Sequence, residues 1–152
     1  MRNIILILCL IFLCSCGYTS VYKDKKLQVF QINIIEMTGD KEINNLIRNE
    51  LKLYSSSDSN QKYDISINSM YQKHIISKNS SGVVIDYRIS VNTKIKINLN
   101  KETKNLEFKE SINIKNNSNS FEQNRYERNI KRNFASSIRE KFLIKILNLN
   151  DN

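Results

Sequence analysis

Histidine, glycine and cysteine are scarce in this chain, and their scarcity excludes several kinds of site. His74 is the only histidine, and with no thiol near it a metal site would have too few ligands. Gly17, Gly39 and Gly82 are the only glycines and stand far apart, which excludes a glycine-rich phosphate loop. No serine has an evident base and orienting partner. We therefore expect a binding or assembly protein and no enzyme, although a carboxylate pair that includes Asp86 stays open.

The one long apolar run covers residues 4–14, about half of the roughly 20 residues that a bilayer-crossing helix needs. It follows Arg2, and a short basic start, an apolar stretch and a small residue at the cut are typical of a secretory signal. The segment ends in Leu13-Cys14-Ser15-Cys16, which resembles the lipobox of bacterial lipoproteins. There the Cys thiol is diacylglycerylated, the chain is cut just before it, and the new amine is acylated.

We accordingly expect residues 1–15 to be a cleaved lipoprotein signal, Cys16 to be lipidated, and residues 16–26 to form a tether. Two or three acyl chains anchor a protein stably in a membrane. In lipoproteins of this type an Asp after the Cys commonly retains the protein in the inner membrane, so Gly17 favours the outer one. An ordinary secreted protein with a stray Cys, or an uncleaved anchor, is the alternative.

The charge of the chain narrows the choice of partners. The whole chain carries +9, and removal of Arg2 with the signal leaves +8. An exported protein does not routinely meet nucleic acid, so the fitting partners are anionic lipid headgroups or lipid A phosphates. The alternative is compositional, because Ile, Lys and Asn are abundant throughout and Lys is then a default surface residue. Two of the three cysteines leave with the signal and the third is acylated, which excludes a disulfide in the mature chain. No cofactor is expected.

The first half of the chain predicts a strand, a helix and a second strand. Residues 27–36 are apolar and β-branched, which indicates a strand, and Thr38-Gly39-Asp40 is a turn signal. Asp40 then N-caps a helix to about Tyr54, with an apolar stripe at helical spacing. After a polar loop, alternation from Tyr63 onward predicts the next strand and a hairpin loop at 79–82.

The second half predicts two more strands and a long helix. Apolar residues occupy every second position over 83–99, so this strand has one dry and one wet face, and its length leads us to expect a bend or bulge. Residues 106–114 continue the pattern. Ser120 with Gln123 forms a capping box that opens a helix to about Leu147, and residues 149–152 should fray.

The predicted fold class is α+β. The order is β-α-β-β-β-α, and the sheet has four mostly antiparallel strands. Both helices must lie on the apolar face of the sheet, because only then are this face and the apolar stripe of each helix buried. The result is a two-layer sandwich over residues 27–148.

These features together resemble the LPS-assembly lipoprotein family, LptE, across most of the mature chain. Four stretches carry the resemblance: Cys16-Gly17-Tyr18 with the following Val21-Tyr22, Leu46-Ile47-Arg48-Asn49-Glu50-Leu51, Asp86-Tyr87-Arg88-Ile89-Ser90-Val91-Asn92, and 121–138 with Glu127-Arg128. The resemblance implies a lipid-anchored outer-membrane protein, facing the periplasm or lying within a barrel lumen. Such a protein would plug the β-barrel translocon LptD in a one-to-one complex, support its folding, and help deliver lipopolysaccharide to the outer leaflet.

The resemblance also implies where lipopolysaccharide would be contacted. Basic residues near the hairpin between the second and third strands are implicated in the family, and Lys73 and Lys78 correspond to them here. A second basic site before the last helix has no clear match; Asn119 falls there, with Lys115 upstream. These lysines could equally be solvated surface residues. The remaining alternatives are an envelope-binding or structural lipoprotein that does not associate with LptD, and an unknown envelope enzyme.

Overall fold

The computed structural model describes residues 30–55, 59, 61–99 and 102–150. The elements follow the predicted order, and their bounds are β1 Gln31–Gly39, α1 Lys41–Ser55, β2 Lys62–Lys78, β3 Val84–Leu99, β4 Glu102–Lys115 and α2 Ser120–Asn150. The signal, Cys16, the tether and the first residues of the predicted domain lie outside the described residues, as do residues 151–152. The helix α2 continues three residues beyond its expected end at Leu147.

The four strands form one sheet in the order β1-β2-β3-β4. β1 pairs with β2 in parallel, and the other two pairings are antiparallel, which confirms a mostly antiparallel sheet. β1 ends where Gly39 pairs with Ser69, whereas β2 continues to Lys78 and pairs with β3 along the way. The upper part of the sheet is therefore three strands wide, and we call it the distal end.

The alternating pattern of β3 gives the sheet one apolar face, and both helices pack on that face. Ile89, Val91, Ile95 and Ile97 are buried there. Each fully buried aliphatic side chain contributes about 1.5–3 kcal/mol through the loss of its contact with water. The helices supply the opposing layer of the core with residues at helical spacing, which include Ile43, Ile47, Leu51, Ile130, Phe134, Ile138, Phe142 and Ile146. The predicted two-layer α+β sandwich is confirmed.

Local signals fix the two helix starts. The Asp40 carboxylate accepts a hydrogen bond from the Ile43 amide at 2.9 Å, so the predicted N-cap of α1 is confirmed. At α2 the predicted cap at Ser120 is wrong by one residue. The side chain of Asn119 accepts hydrogen bonds from the amides of Phe121 and Glu122 at 3.0 and 3.3 Å. Asn is as good a cap as Ser, and the placement of the loop decides between them.

The expected irregularity of β3 is present close to the hairpin loop, and β2 has one as well. The pairing of β2 with β3 shifts register twice there: Ile76 of β2 is skipped between Ile75 and Ser77, and Ile85 of β3 is skipped between Ser77 and Lys78. β1 also shifts register between Ile34 and Glu36. The turn expected at residues 38–40 forms only after Gly39, which ends β1 with φ +85°.

Two ion pairs show how the helices run. Lys131 of α2 pairs with Glu42 near the start of α1 at 2.5 Å, and Arg139 pairs with Glu50 near its end at 3.3 Å. Because both contacts advance along the two helices in the same direction, α1 and α2 lie parallel to each other. α2 therefore begins beside the distal end and continues over the part of the sheet that α1 also covers.

Candidate functional site

The distal end combines exposed apolar side chains with basic residues. Because β1 and α1 reach only to the level of Ser69, the hairpin of β2 and β3 beyond that level is covered by the first turns of α2 alone. Several of its large apolar side chains are exposed by about half as a result: Ile75, Ile76, Val83 and Ile85. The dry face predicted for 83–99 is therefore buried only from Ile89 onward. A soluble protein rarely leaves such a cluster open without a binding role.

Lys73 lies on the helix-facing side of β2, where its ammonium already has a carboxylate and an aromatic ring as partners. Its ammonium contacts the Glu127 carboxylate of α2 at 2.5 Å and lies 4.1 Å from the centroid of the Tyr87 ring. Burial of Glu127 alone would raise its pKa, but hydrogen bonds from Lys73 and Gln123 outweigh burial and hold the pKa of Glu127 below its ordinary value. An anionic ligand would have to compete with this carboxylate for Lys73.

Lys131 of α2 makes a second set of contacts of the same kind, with a carboxylate of α1 and a tyrosine ring of β2. Lys131 contacts Glu42 and lies 4.3 Å from the centroid of the Tyr71 ring. Burial, together with the negative charges of Glu127, Glu42 and Asp40, raises the pKa of Tyr71 to about 12. These contacts join the start of both helices to the middle of the sheet, and they cap the core where the distal end begins.

Lys78 lies at the end of β2, beside the hairpin loop, and is exposed. The loop is closed by Asn79, whose side chain accepts hydrogen bonds from the amides of Ser81 and Val83 at 3.0 and 2.8 Å. Gly82 has φ +80°. Within the part of the chain that the structure describes, Lys78 makes no ion pair. Lys78 and Lys115 are thus exposed and without an ion pair among the described residues, whereas Lys73 has a carboxylate partner.

Lys115 ends β4 on the opposite side of the sheet from Lys73. Its neighbour Ile114 is buried under α2, and alternation turns Lys115 to the outer face, where it pairs in register with Asp86. Lys115 also lines an open cleft of about 720 Å³ between the end of β4 and the first turns of α2, together with Glu122 and Tyr126. The structure thus brings the three predicted lysines to one end of the sheet, but not onto one surface.

The outer face of the sheet is mostly polar, with the exposed Met70 as an apolar exception. Cross-strand hydrogen bonds run over it, from Asn33 to Asp64 at 2.8 Å, from Asn92 to Glu107 at 2.8 Å, and from Arg88 to Asn113 at 3.0 Å. The Asn92 amide is the main cause that holds the pKa of Glu107 below its ordinary value. This face can therefore lie against water or a wet partner surface at little cost.

The other residues considered from the sequence lie on the hairpin of β2 and β3. Asp86 accepts a hydrogen bond from Ser77 at 2.6 Å, and His74 is exposed opposite Arg88. Over residues 30–55, 59, 61–99 and 102–150, no group of three or more His, Cys, Asp or Glu side chains could hold a metal ion. The same residues include no helix long and apolar enough to span a membrane.

Sequence reasoning missed the partners of Lys73, because Glu127 lies 54 positions away along the chain. The sequence did contain part of the information needed to predict that Lys73 has a carboxylate partner. Lys73 continues the inward-facing positions of β2 after Ile65, Ile67 and Ser69, and an inward-facing cation requires a carboxylate when it is partly buried.

The fold matches several solved bacterial lipoproteins, while no family model and no curated protein sequence matches the chain. The crystal structure of rare lipoprotein B from Shewanella oneidensis is 16% identical, with a TM-score of 0.57 over 78% of this chain and 99% of that one. The minor lipoprotein from Acinetobacter baumannii is 7% identical, with a TM-score of 0.51 over 73% of this chain and 89% of that one. A lipoprotein from Caulobacter crescentus is 11% identical, with a TM-score of 0.59 over 82% of this chain and 92% of that one.

At these identities the likeness establishes the fold alone. The chain is a two-layer α+β domain of the kind found in these bacterial lipoproteins, with nearly the whole of each neighbour covered.

Proposed function

We propose that this chain is an LptE-like outer-membrane lipoprotein that plugs an LptD-type β-barrel translocon, supports its assembly and assists delivery of lipopolysaccharide. The observation that carries the proposal is the polar outer face of the sheet in a fold shared with rare lipoprotein B. Barrel interiors are polar and wet, and a plug needs a surface that stays hydrated or hydrogen-bonded inside one. The role is that of a binding partner and involves no catalysis.

The distal end supports the lipopolysaccharide part of the proposal. Lipid A presents phosphates next to acyl chains, so its binding site needs cations beside apolar side chains. Lys78 lies at the end of β2, beyond the bulge that contains Ile76, and Ile75 and Ile85 are exposed on the same hairpin. Lys78 would make charge-assisted hydrogen bonds to a phosphate. Lys115 would contribute from the outer face, and Lys73 would join only by leaving Glu127.

The deciding experiment is co-purification. The chain with its signal is expressed in a Gram-negative host together with the candidate barrel from its own genome, membranes are solubilised in mild detergent, and the complex is captured through a C-terminal tag. A stoichiometric complex that survives washing is the expected result. Capture of the lipidated protein without a barrel would exclude the LptD role and favour an envelope lipoprotein with another partner.

The lipid contact has its own test. Lys78→Glu should weaken binding of labelled lipopolysaccharide about 5- to 10-fold, because one exposed charge contact contributes roughly 1 kcal/mol and reversal adds repulsion. Lys96→Glu is the matched control, because it makes the same charge change at an exposed position of β3. Lys96 pairs with Ser66 and Asn105, far from the hairpin loop. Equal losses in both variants would mean that only the net charge matters.

A further inference from the structure

The N-terminal half of α2 carries an exposed stripe that the proposed lipid contact does not use. Phe121, Arg125, Arg128 and Arg132 are spaced four, three and four residues apart, which places them on one side of the helix. All four are exposed, Phe121 by 66%. The opposite side of the same turns is occupied by Gln123 and Ile130, which are buried. We call these four residues the arginine stripe.

The arginine stripe is left without carboxylates while other cations nearby receive them. Among the residues that the structure describes, none of its three arginines is in an ion pair, and Arg132 has only the side chain of Asn129 at 3.4 Å. Four other cations have carboxylate partners, three of them partly buried and Lys141 half-exposed: Lys73 with Glu127, Lys131 with Glu42, Lys141 with Glu110, and Arg139 with Glu50 and Glu140. Like charges at these spacings repel one another, so the stripe costs stability in the free chain.

The type of residue in the stripe is not explained by the composition of the chain. Lys outnumbers Arg by 17 to 7, so a default basic surface residue here would be Lys. Four of the seven arginines nevertheless fall within positions 125–139, and three of them form the stripe. Arg differs from Lys in presenting a planar fork that binds a carboxylate or a phosphate through two hydrogen bonds. The choice of Arg therefore points to a shaped anionic partner.

We infer that the arginine stripe is a docking surface for a carboxylate-bearing protein surface. Arg and aromatic residues are the types most enriched at the energetic centres of protein interfaces, and Phe121 at the end of three arginines has that composition. A helix that lies on a membrane needs a broad exposed apolar side, whereas the apolar side of α2 is buried in the core. The inference rests on the proposed function, within which the partner surface is the acidic wall of a barrel.

Two variants of the full chain distinguish the contribution of positive charge to barrel binding from that of the guanidinium geometry. In the first, Arg125, Arg128 and Arg132 are all changed to Gln, which keeps helix propensity and removes the charge. In the second, the same three positions become Lys, which keeps the charge. In the co-purification described above, we expect the Gln variant to reduce the captured barrel roughly tenfold or more. The Lys variant should lie between the Gln variant and wild type. Circular dichroism checks that both variants fold.

The outcomes distinguish failure of the inference from failure of the proposed function. If wild type and the Gln variant capture the barrel equally, the inference is wrong while the plug role stands. If wild type captures no barrel, the plug role fails, and the stripe is then judged with a labelled peptide of alternating Ser and Asp. Binding of that peptide that is lost in the Gln variant supports the inference, and equal binding overturns it.

A lipid partner has a separate signature. If a Phe121→Trp reporter in the full chain is quenched by brominated lipid in phosphatidylglycerol vesicles, and not in phosphatidylcholine vesicles, the stripe lies on an anionic membrane. That result would overturn the inference. Absence of quenching in both is the expected result.

Discussion

The two glycines of the folded domain form a matched pair for testing how β1 joins the sheet. Gly39 and Gly82 have nearly the same backbone conformation, with φ +85° and +80°, but their surroundings differ. A Cβ at Gly39 would lie 2.1 Å from the backbone oxygen of Ser69, whereas a Cβ at Gly82 would meet nothing within 4 Å. Alanine at the two positions therefore separates conformational strain from steric conflict.

The expected magnitudes follow from these contacts. Alanine in the left-handed region costs about 1–2 kcal/mol at either site. At Gly39 the clash is with backbone, so the chain itself must shift, and the same Ser69 oxygen accepts the Asp40 amide at 2.7 Å. Loss of that hydrogen bond leaves the buried Ser69 oxygen unsatisfied and adds about 2 kcal/mol, and the total becomes about 3–4 kcal/mol. For a domain of this size each kcal/mol lowers the Tm by about 3–4 °C.

We therefore expect Gly82→Ala to lower the Tm by about 3–7 °C and Gly39→Ala to lower it by about 10–15 °C. Calorimetry on both variants and wild type, in the same detergent, measures the difference. Equal losses would refute the reasoning, because they would mean that strain alone acts and that the approach of Gly39 to Ser69 is not tight in solution.

Three further predictions concern the helix starts and the buried network. Asp40→Ala should destabilise the domain by about 1 kcal/mol through loss of its N-cap, measured by urea unfolding at pH 7, and no change would show that the cap contributes nothing. Because the pKa of Glu127 is lowered in the fold, its contribution is complete above its unfolded pKa of about 4.3 and is lost as pH falls through the folded value. Glu127→Gln should therefore cost about 1–2 kcal/mol at pH 7 and much less at pH 3, and a loss independent of pH would contradict this account. Tyr71 has a pKa raised to about 12, so its contribution is complete below about pH 10 and is lost as pH rises toward 12. The stability difference between wild type and Tyr71→Phe should shift in that alkaline window alone.

The order of elements could be predicted because each element carries its own signal. β3 alternates over its length, and α1 has a cap at Asp40 followed by an apolar stripe at helical spacing. Patterns of this kind depend only on residues close in sequence. They predicted the helices, the sheet and the side of the sheet on which the helices pack.

The features that could not be predicted depend on how far one element reaches over another. The pattern of β3 is as regular at Ile85 as at Ile95, yet Ile85 is 42% exposed and Ile95 is buried, because α1 begins only at the level of Ser69. Likewise, Lys73 pairs with Glu127 only once β2 and α2 are packed together. Local sequence does not encode the extent of the covering layer.

The cap of α2 shows the same limit on a smaller scale. Asn119 and Ser120 are adjacent and equally good as caps, and only the spacing to Gln123 favoured Ser120 in the sequence. The side chain of Gln123 decides the outcome in the fold, because it accepts the Asn117 amide at 2.9 Å and at the same time donates to Glu127 at 2.6 Å. Gln123 therefore ties the loop before α2 to the carboxylate that holds Lys73, a role that a capping box at Ser120 would have prevented.

The placement of carboxylates bears on whether the basic character of the chain is functional or compositional. If basicity were only a bias of composition, acidic residues would be expected to lie among the cations without regard to depth. Instead, the carboxylates of Glu42, Glu50, Glu110 and Glu127 pair with cations between the two helices or between α2 and the sheet, and of the paired glutamates only Glu107, with Lys109, and Glu140 lie in exposed pairs. Lys78 and the arginine stripe are exposed and make no ion pair within the described residues. This placement of carboxylates ties the two helices to each other and to the sheet, and it leaves positive charge exposed beside the hairpin loop and along the first turns of α2.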